Sequence, residues 1–336
     1  MDLTIIWAAI IAIAVAAYVL MDGFDLGIGI LFPKFRVGRE RDAAMNAIAP
    51  VWDGNETWLV MGGGGLLAAF PLAYAIVLPA LYAPLIAMLL ALVFRGVAFE
   101  FRWRDPDHRA FWDFAFFAGS LVATFAQGVT LGALLQGIEV HDRAYSGGWW
   151  DWLSGFSLLT GASLVIGYAL LGAGWLIWKT EGALQADARR FARPLLPALL
   201  IALAAVSLAT PFLEGQYWQR WFVWPGLLVA VPMPLLVLGA AFMVRRGLAR
   251  GPDWRPFLWT LIIFALSFAG LAISIWPDVI PGRVSIWQAA APHSSQMFML
   301  IGAVVLIPVI LGYTAWAYWV FRGKVGDEGY HAHGDH

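Results

Sequence analysis

Nine apolar runs, most of them twenty residues or longer, constrain this chain more than any other feature. A run of that length, wound as a helix, matches the roughly 30 Å hydrocarbon core of a bilayer. Inside lipid the backbone must satisfy its own hydrogen bonds, which leaves helices or closed barrels. The runs lie at about 4–32, 48–70, 74–99, 112–136, 155–178, 194–212, 223–244, 257–276 and 297–321. Hydrophobic residues make up 61% of the 336 and charged residues only 13%, too apolar for a water-soluble domain with a large core. The expected fold is an all-α polytopic membrane protein with nine transmembrane helices. It forms one transmembrane domain over 1–325, followed by a short polar tail at 326–336. Two runs are irregular: the sixth is short and opens with Pro194 and Pro197, and the seventh carries Pro225, Pro232 and Pro234.

Basic residues set the orientation of such a chain. Lys34, Arg36, Arg39 and Arg41 fall in the segment 33–47, and Arg102, Arg104 and Arg109 in 100–111. Lys179, Arg189, Arg190 and Arg193 fall in 179–193, Arg245, Arg246, Arg250 and Arg255 in 245–256, and Arg322 and Lys324 follow the ninth run. All these segments lie on one side of an odd-numbered set of spans, against Arg143, Arg220 and Arg283 on the other. The N-terminus is therefore expected outside and the C-terminus in the cytoplasm. The sequence MDLTIIW has no basic stretch ahead of its apolar run and no small-residue cleavage site, so the first run reads as a retained span. Many of the 19 tryptophans sit near span ends, as interfacial anchors do.

Within these spans lie acids. Asp22 and Asp25 are near the end of the first, in MDGFDLGIGILF, and Asp53 and Glu56 are near the start of the second, in APVWDGNETWLVMGGGG. A charge at the centre of a membrane helix costs about 2.5–3.5 kcal/mol on insertion scales, so retained acids mark a candidate site. At 1.5 Å per residue, Asp53 and Glu56 lie roughly 7–12 Å along their helix. The third run brings Arg95 and Glu100 to a similar depth. Four acids, Arg95 and Glu100 would then meet near the cytoplasmic side, as a proton-conducting or ion-binding path built chiefly on Asp53 and Asp25. The competing interpretation is structural: Arg95 pairs with one acid and the others reach interfacial water. Gly23, Gly27, Gly29 and Gly62–Gly65 read as sites of close helix packing.

The chain has no cysteine, which excludes disulfides, Cys-ligated iron–sulfur clusters and Cys zinc sites. A net charge of −1 gives no field for nucleic acid. The histidines, at 108, 141, 293, 331, 333 and 336, avoid the middle of every span, so ligation of a buried haem by a His or Cys of this chain is not expected. His293 reads as a loop-end or capping residue, and the tail histidines as a solvated end in preference to a metal site.

The strings MDGFDLGIG (21–29), APVWDGNETWLVMGGGGLLAAFPLAYA (49–75) and LVFRGVAFEFR (92–102) closely resemble subunit II of the bacterial cytochrome bd-type quinol oxidases. The resemblance continues through LLQG (134–137), SSQ (294–296) and PVILGYTAWAYWVFRGKV (308–325), covering nearly the whole chain. WDGNETW and the FRGKV ending look most like the cyanide-insensitive branch. The resemblance implies two four-helix bundles plus one additional helix in the bacterial cytoplasmic (inner) membrane. It implies a partner, haem-bearing subunit I, which would ligate haem b and haem d, and it allows for small single-helix subunits and a bound quinone or lipid. The complex would oxidise quinol and reduce dioxygen to water. Its chemical protons would come from the cytoplasm, so that a proton gradient forms. In this family the WDG aspartate, here Asp53, is placed in a proton path toward the oxygen site, and Trp52, Asp25 and Arg95 also match motif positions. The rival functions are a stand-alone proton-coupled secondary transporter using the same acids, and an assembly subunit with no proton path.

Overall fold

In the computed structural model, which describes residues 2–325, the apolar runs are helices. The first, α1 (Leu3–Leu31), is capped by Asp2, whose carboxylate accepts from the Thr4 amide at 2.9 Å and the Trp287 indole at 2.8 Å. Then come a short α2 (Arg39–Asn46), α3 (Trp52–Ala69), α4 (Pro71–Ala80), α5 (Tyr82–Arg104) and α6 (Arg109–Leu135). A small hairpin, β1 (Val140–His141) with β2 (Ala144–Tyr145), leads into α7 (Gly155–Lys179), which starts on a Ser154–Ser157 capping box. The second half holds α8 (Gly182–Ala209), α9 (Gly215–Phe222), α10 (Leu227–Ala230), α11 (Pro232–Ala249) and α12 (Trp254–Ile275). The hairpin β3 (Asp278–Ile280) with β4 (Val284–Ser285), the one-turn α13 (Ile286–Ala289) and α14 (His293–Val320) complete it. Among the described residues, eight helices are long and apolar enough to cross a membrane, or nine if α3 and α4 count as one span bent by 120°. The tail 326–336, with His331, His333 and His336, lies outside the described residues.

Three expected boundaries change. The run 74–99 is not one helix: it is split at Leu81, and its first turns belong to α4, which folds sharply away from α3. The bend sits at Phe70 (φ −130°, ψ 61°), where Pro71 pushes the preceding residue out of the helical region. Hydropathy cannot see this break because both sides of it are apolar. The segment 179–193 is not a loop, because α8 begins at Gly182 and carries Arg189, Arg190 and Arg193 before Pro194 and Pro197. Its polar first turns bury Leu184, Ala188 and Ala192 on one face, an amphipathic pattern that a search for continuous apolar runs misses. The seventh run, expected as one span over 223–244, is broken at its prolines: α11 starts on Pro232, and α9 and α10 flank Pro225.

Helix α1 is the centre of the molecule and packs on α3, α6 and α7; α5 lies on α6, and α12 lies on α7 and α11. Gly27 and Gly172 let α1 and α7 touch backbone to backbone. By contrast, α14 touches α1 and α3 lightly, and none of its most apolar 18-residue window is buried. Polar contacts hold its ends. Gln296 lies buried at one end, where its carbonyl accepts from the Trp7 indole at 3.0 Å. At the other end Lys179 donates to the carbonyls of Phe321 (2.7 Å) and Gly323 (3.3 Å), and the Val325 amide donates to the Lys179 carbonyl (2.8 Å).

Asp253 completes this clasp, paired with Lys324 at 2.8 Å and Arg189 at 2.5 Å. Burial pushes its carboxyl up, but the bonds from Lys324, Gln185 and Arg189 outweigh this and hold it below the usual carboxylate range. A lowered folded-state value contributes stability above the unfolded value, about 3.9, and that stability is lost as pH falls through the lowered value. The Val325 amide should therefore stay protected from hydrogen exchange, corrected for intrinsic rate, down to about pH 4, and open below it. Asp253→Asn should weaken that protection at neutral pH and flatten its acid dependence. Unchanged protection in the variant would show that Asp253 does not hold the clasp.

Candidate functional site

The last turns of α1, the first turns of α3 and the second half of α5 meet around a buried arginine. Arg95 is 0% exposed. Its Nη1 lies 2.8 Å from Glu56 Oε1 and 3.4 Å from Asp22 Oδ1. Its guanidinium sits 5.8 Å and 5.5 Å from the ring centroids of Trp52 and Phe99, which stack on each other at 4.7 Å. The Trp52 ring also lies against the α5 backbone at Gly96, one residue on. Delocalised charge over aromatic faces suits arginine better than lysine.

Asp22 and Asp25 are both fully buried, three residues apart on α1. Asp25 is held from α3: Asn55 Nδ2 donates to Asp25 Oδ2 at 2.7 Å and to the Met21 carbonyl at 3.2 Å. Asn55 Oδ1 accepts from the Tyr318 hydroxyl of α14 at 2.9 Å. Among the described residues, both Asp22 oxygens, Asp25 Oδ1, Arg95 Nε and Arg95 Nη2 lack a hydrogen-bond partner, as does the nearby Tyr18 hydroxyl. Three carboxylates around one arginine also carry more acid than the arginine neutralises, so the cluster can hold a proton as well as an ion pair.

The structure thus brings together Asp22, Asp25, Glu56 and Arg95, with Trp52 over the guanidinium. Two expected members are not inside. Asp53 is exposed, on the same uncovered α3 face as Thr57, Val60, Gly64 and Leu67. One turn of helix separates it from Glu56, whose side chain is 25% exposed and points the other way, to Arg95. Glu100 is also exposed and pairs with Arg104 at 3.4 Å, because five residues after Arg95 place it on a different face of α5. The glycines divide similarly: Gly23, Gly27 and Gly29 press on α7 or α6, Gly62 and Gly65 meet α1 side chains, and Gly63 and Gly64 face open space.

Sequence reasoning missed Asn55 and Tyr318, which are uncharged, and a second ion network nearer the basic end. There Asp113 binds Arg41 (2.6 Å) and Arg102 (2.5 Å), and Asp42 binds Arg102 (2.8 Å) and Arg109 (3.0 Å). Counting these arginines as loop charges hid the fact that Arg102 is fully buried. The available signal was Asp113, an acid inside the fourth apolar run.

The family model described as cytochrome bd terminal oxidase subunit II matches residues 3–321. The chain belongs to this family. It is a subunit of a terminal oxidase, an oxidoreductase, and a multi-pass membrane protein, which displaces the stand-alone transporter reading. It is 31% identical to cytochrome bd-I ubiquinol oxidase subunit 2 of Escherichia coli K12, covering 97% of this chain and 96% of that one. Cytochrome bd ubiquinol oxidase subunit 2 of Bacillus subtilis 168 is 29% identical over 95% of this chain and 96% of its own. The fold also resembles a chain of the bd oxidase from Geobacillus thermodenitrificans, with a TM-score of 0.78 at 15% identity, over 96% of this subunit and 99% of that chain.

The family implies haem in the complex. Subunit II offers a poor fit for it: His108, His141 and His293 are exposed, and no group of three or more His, Cys, Asp or Glu is placed for a metal among the described residues. The charged groups of the buried cluster are carboxylates and a guanidinium, and no His or Cys stands among its residues.

Proposed function

We propose that this subunit works beside a haem-bearing subunit I in the bacterial cytoplasmic membrane, in a complex that oxidises quinol, reduces dioxygen to water and so builds a proton gradient. Its own part is to pack against the haem subunit and to carry protons through the acid cluster. The observation that carries the proton role is the fully buried Asp22–Asp25–Arg95 set, reaching the surface through Glu56. In this reading the basic end faces the cytoplasm. α1, α3, α5 and α6 form one four-helix bundle, α7, α8, α11 and α12 a second, and α14 is the additional helix. Asp53 then occupies the far end of the relay: it stands one turn from Glu56 on an uncovered face and would pass protons across the subunit interface.

Asp53→Asn keeps the shape of the side chain and removes its ability to exchange a proton. Quinol-dependent oxygen uptake should fall about tenfold or more while haem content per complex is preserved. Asp25→Asn should behave alike. Full turnover in Asp53→Asn would remove it from the path, and loss of haem would make it structural instead.

A further inference from the structure

We propose that Tyr318 is a positioning residue for the Asp25 carboxyl, acting through the amide of Asn55. An asparagine side chain has two N–H donors and one carbonyl acceptor, and nothing in its shape says which end faces a neighbour. Here all three functions are used: one N–H goes to Asp25 Oδ2, Nδ2 also reaches the Met21 carbonyl, and Oδ1 takes the Tyr318 hydroxyl. The Met21 carbonyl can only accept, so it requires the N–H end on its side, and the Tyr318 hydroxyl, donating to Oδ1, anchors the other end of the amide in that same orientation, with the N–H end toward Asp25. An amide N–H favours a carboxylate there; the flipped amide would offer oxygen and favour a carboxylic acid. The hydroxyl on α14 thus helps to hold the hydrogen bond that Asp25 receives on α1, as a second anchor beside the Met21 carbonyl.

The other charged and titratable groups around Asp25 do not replace this control. Asp22 and Tyr18 share α1 with it, Glu56 is on α3, and Arg95 on α5 is engaged with Glu56 and Asp22. Tyr168 on α7 is bonded to Gln127 at 3.2 Å. Tyr318 is set in place independently of its hydroxyl: its ring lies edge-on to Trp175, centroids 6.1 Å apart, and the Lys179 clasp grips the carbonyls just beyond it. Tyr318→Phe therefore deletes the hydrogen bond and keeps the seat.

The test uses the assembled oxidase. Asp25→Asn identifies the infrared carboxyl signal of Asp25 by its disappearance. Tyr318→Phe should move that signal and slow oxygen uptake severalfold, with haem content unchanged. In an Asn55→Leu background the tyrosine has no amide to orient, so Tyr318→Phe should add nothing further. An Asp25 signal identical in wild type and Tyr318→Phe overturns the proposal, as does an equal additional effect in the Asn55→Leu background. If Asn55→Leu does not assemble, the Tyr318→Phe spectrum decides alone. The kinetic consequence rests on the proton role of Asp25: a signal that moves while turnover stays full upholds the positioning and removes Asp25 from the proton path.

Discussion

Arg95→Met should prevent assembly of the oxidase, and Asp22→Asn should restore much of it. Arg95 is the one basic group inside a cluster of three acids, two of which have no access to water. Removing one partner of a buried ion set leaves the other charge uncompensated, at a cost of about 3–5 kcal/mol. That is a large share of the roughly 5–15 kcal/mol that holds a folded protein together. The acids are not equivalent. Glu56, 25% exposed at its side chain, can turn outward and recover water, whereas the Asp22 side chain is 1% exposed and cannot. Neutralising Asp22 in the Arg95→Met background should therefore rescue better than Glu56→Gln does. Arg95→Lys should rescue only in part: one ammonium nitrogen can face both carboxylates as Nη1 does, but a strongly hydrated point charge is poorly suited to burial over the Trp52 and Phe99 rings. The measurement is haem per mole of purified complex, with its thermal midpoint. Normal assembly of Arg95→Met, or equal rescue by the two acid variants, would show that Arg95 does not compensate Asp22.

The sequence made this cluster visible because charge in an apolar run is conspicuous, and helix periodicity then put Asp22 with Asp25 and brought Arg95 to their depth. What it could not give was azimuth. Asp53 and Glu56 differ by three residues and share a turn, yet one faces outward and the other meets Arg95, since α1 and α5 together cover only part of α3. Glu100 failed for the same reason on α5. The spans were legible wherever the apolar run and the helix coincide, as in α6, α7 and α12. They were not where a proline bends an apolar stretch without changing its hydropathy, at Phe70–Pro71, or where an amphipathic start is too polar to count, at Gly182. Asn55 and Tyr318 stayed hidden because a neutral amide and a phenol are unremarkable at a membrane interface. Their importance lies in a contact between residues 263 positions apart.

Gly27→Val should abolish folding of the subunit, and Gly27→Ala should lower the thermal midpoint of the complex sharply. A Cβ at this position would lie 1.8 Å from the Tyr168 carbonyl oxygen and 2.8 Å from the Gly172 amide nitrogen. These are backbone atoms of α7 and cannot rotate aside, so α1 and α7 would have to part before ordinary contact returned. Overpacking in a dense interior typically costs about 1–3 kcal/mol, and this is the crossing of the central helix with the helix it shares most of the core with. The same separation would draw Asp22 and Asp25 away from α7, so activity per assembled complex should fall as well. Gly239→Ala supplies the comparison: it sits in the middle of α11 with nothing within 4 Å of the added carbon, where alanine favours the helix by about 1 kcal/mol. It should leave the midpoint unchanged or raise it. Gly64→Ala separates a second cause, because it too meets nothing on this chain but lies on the α3 face with Asp53. Loss of haem content in Gly64→Ala, with this subunit still folded, would place the partner subunit on that face. A Gly27→Ala complex as stable as wild type would mean that α1 and α7 are not locked by direct backbone contact.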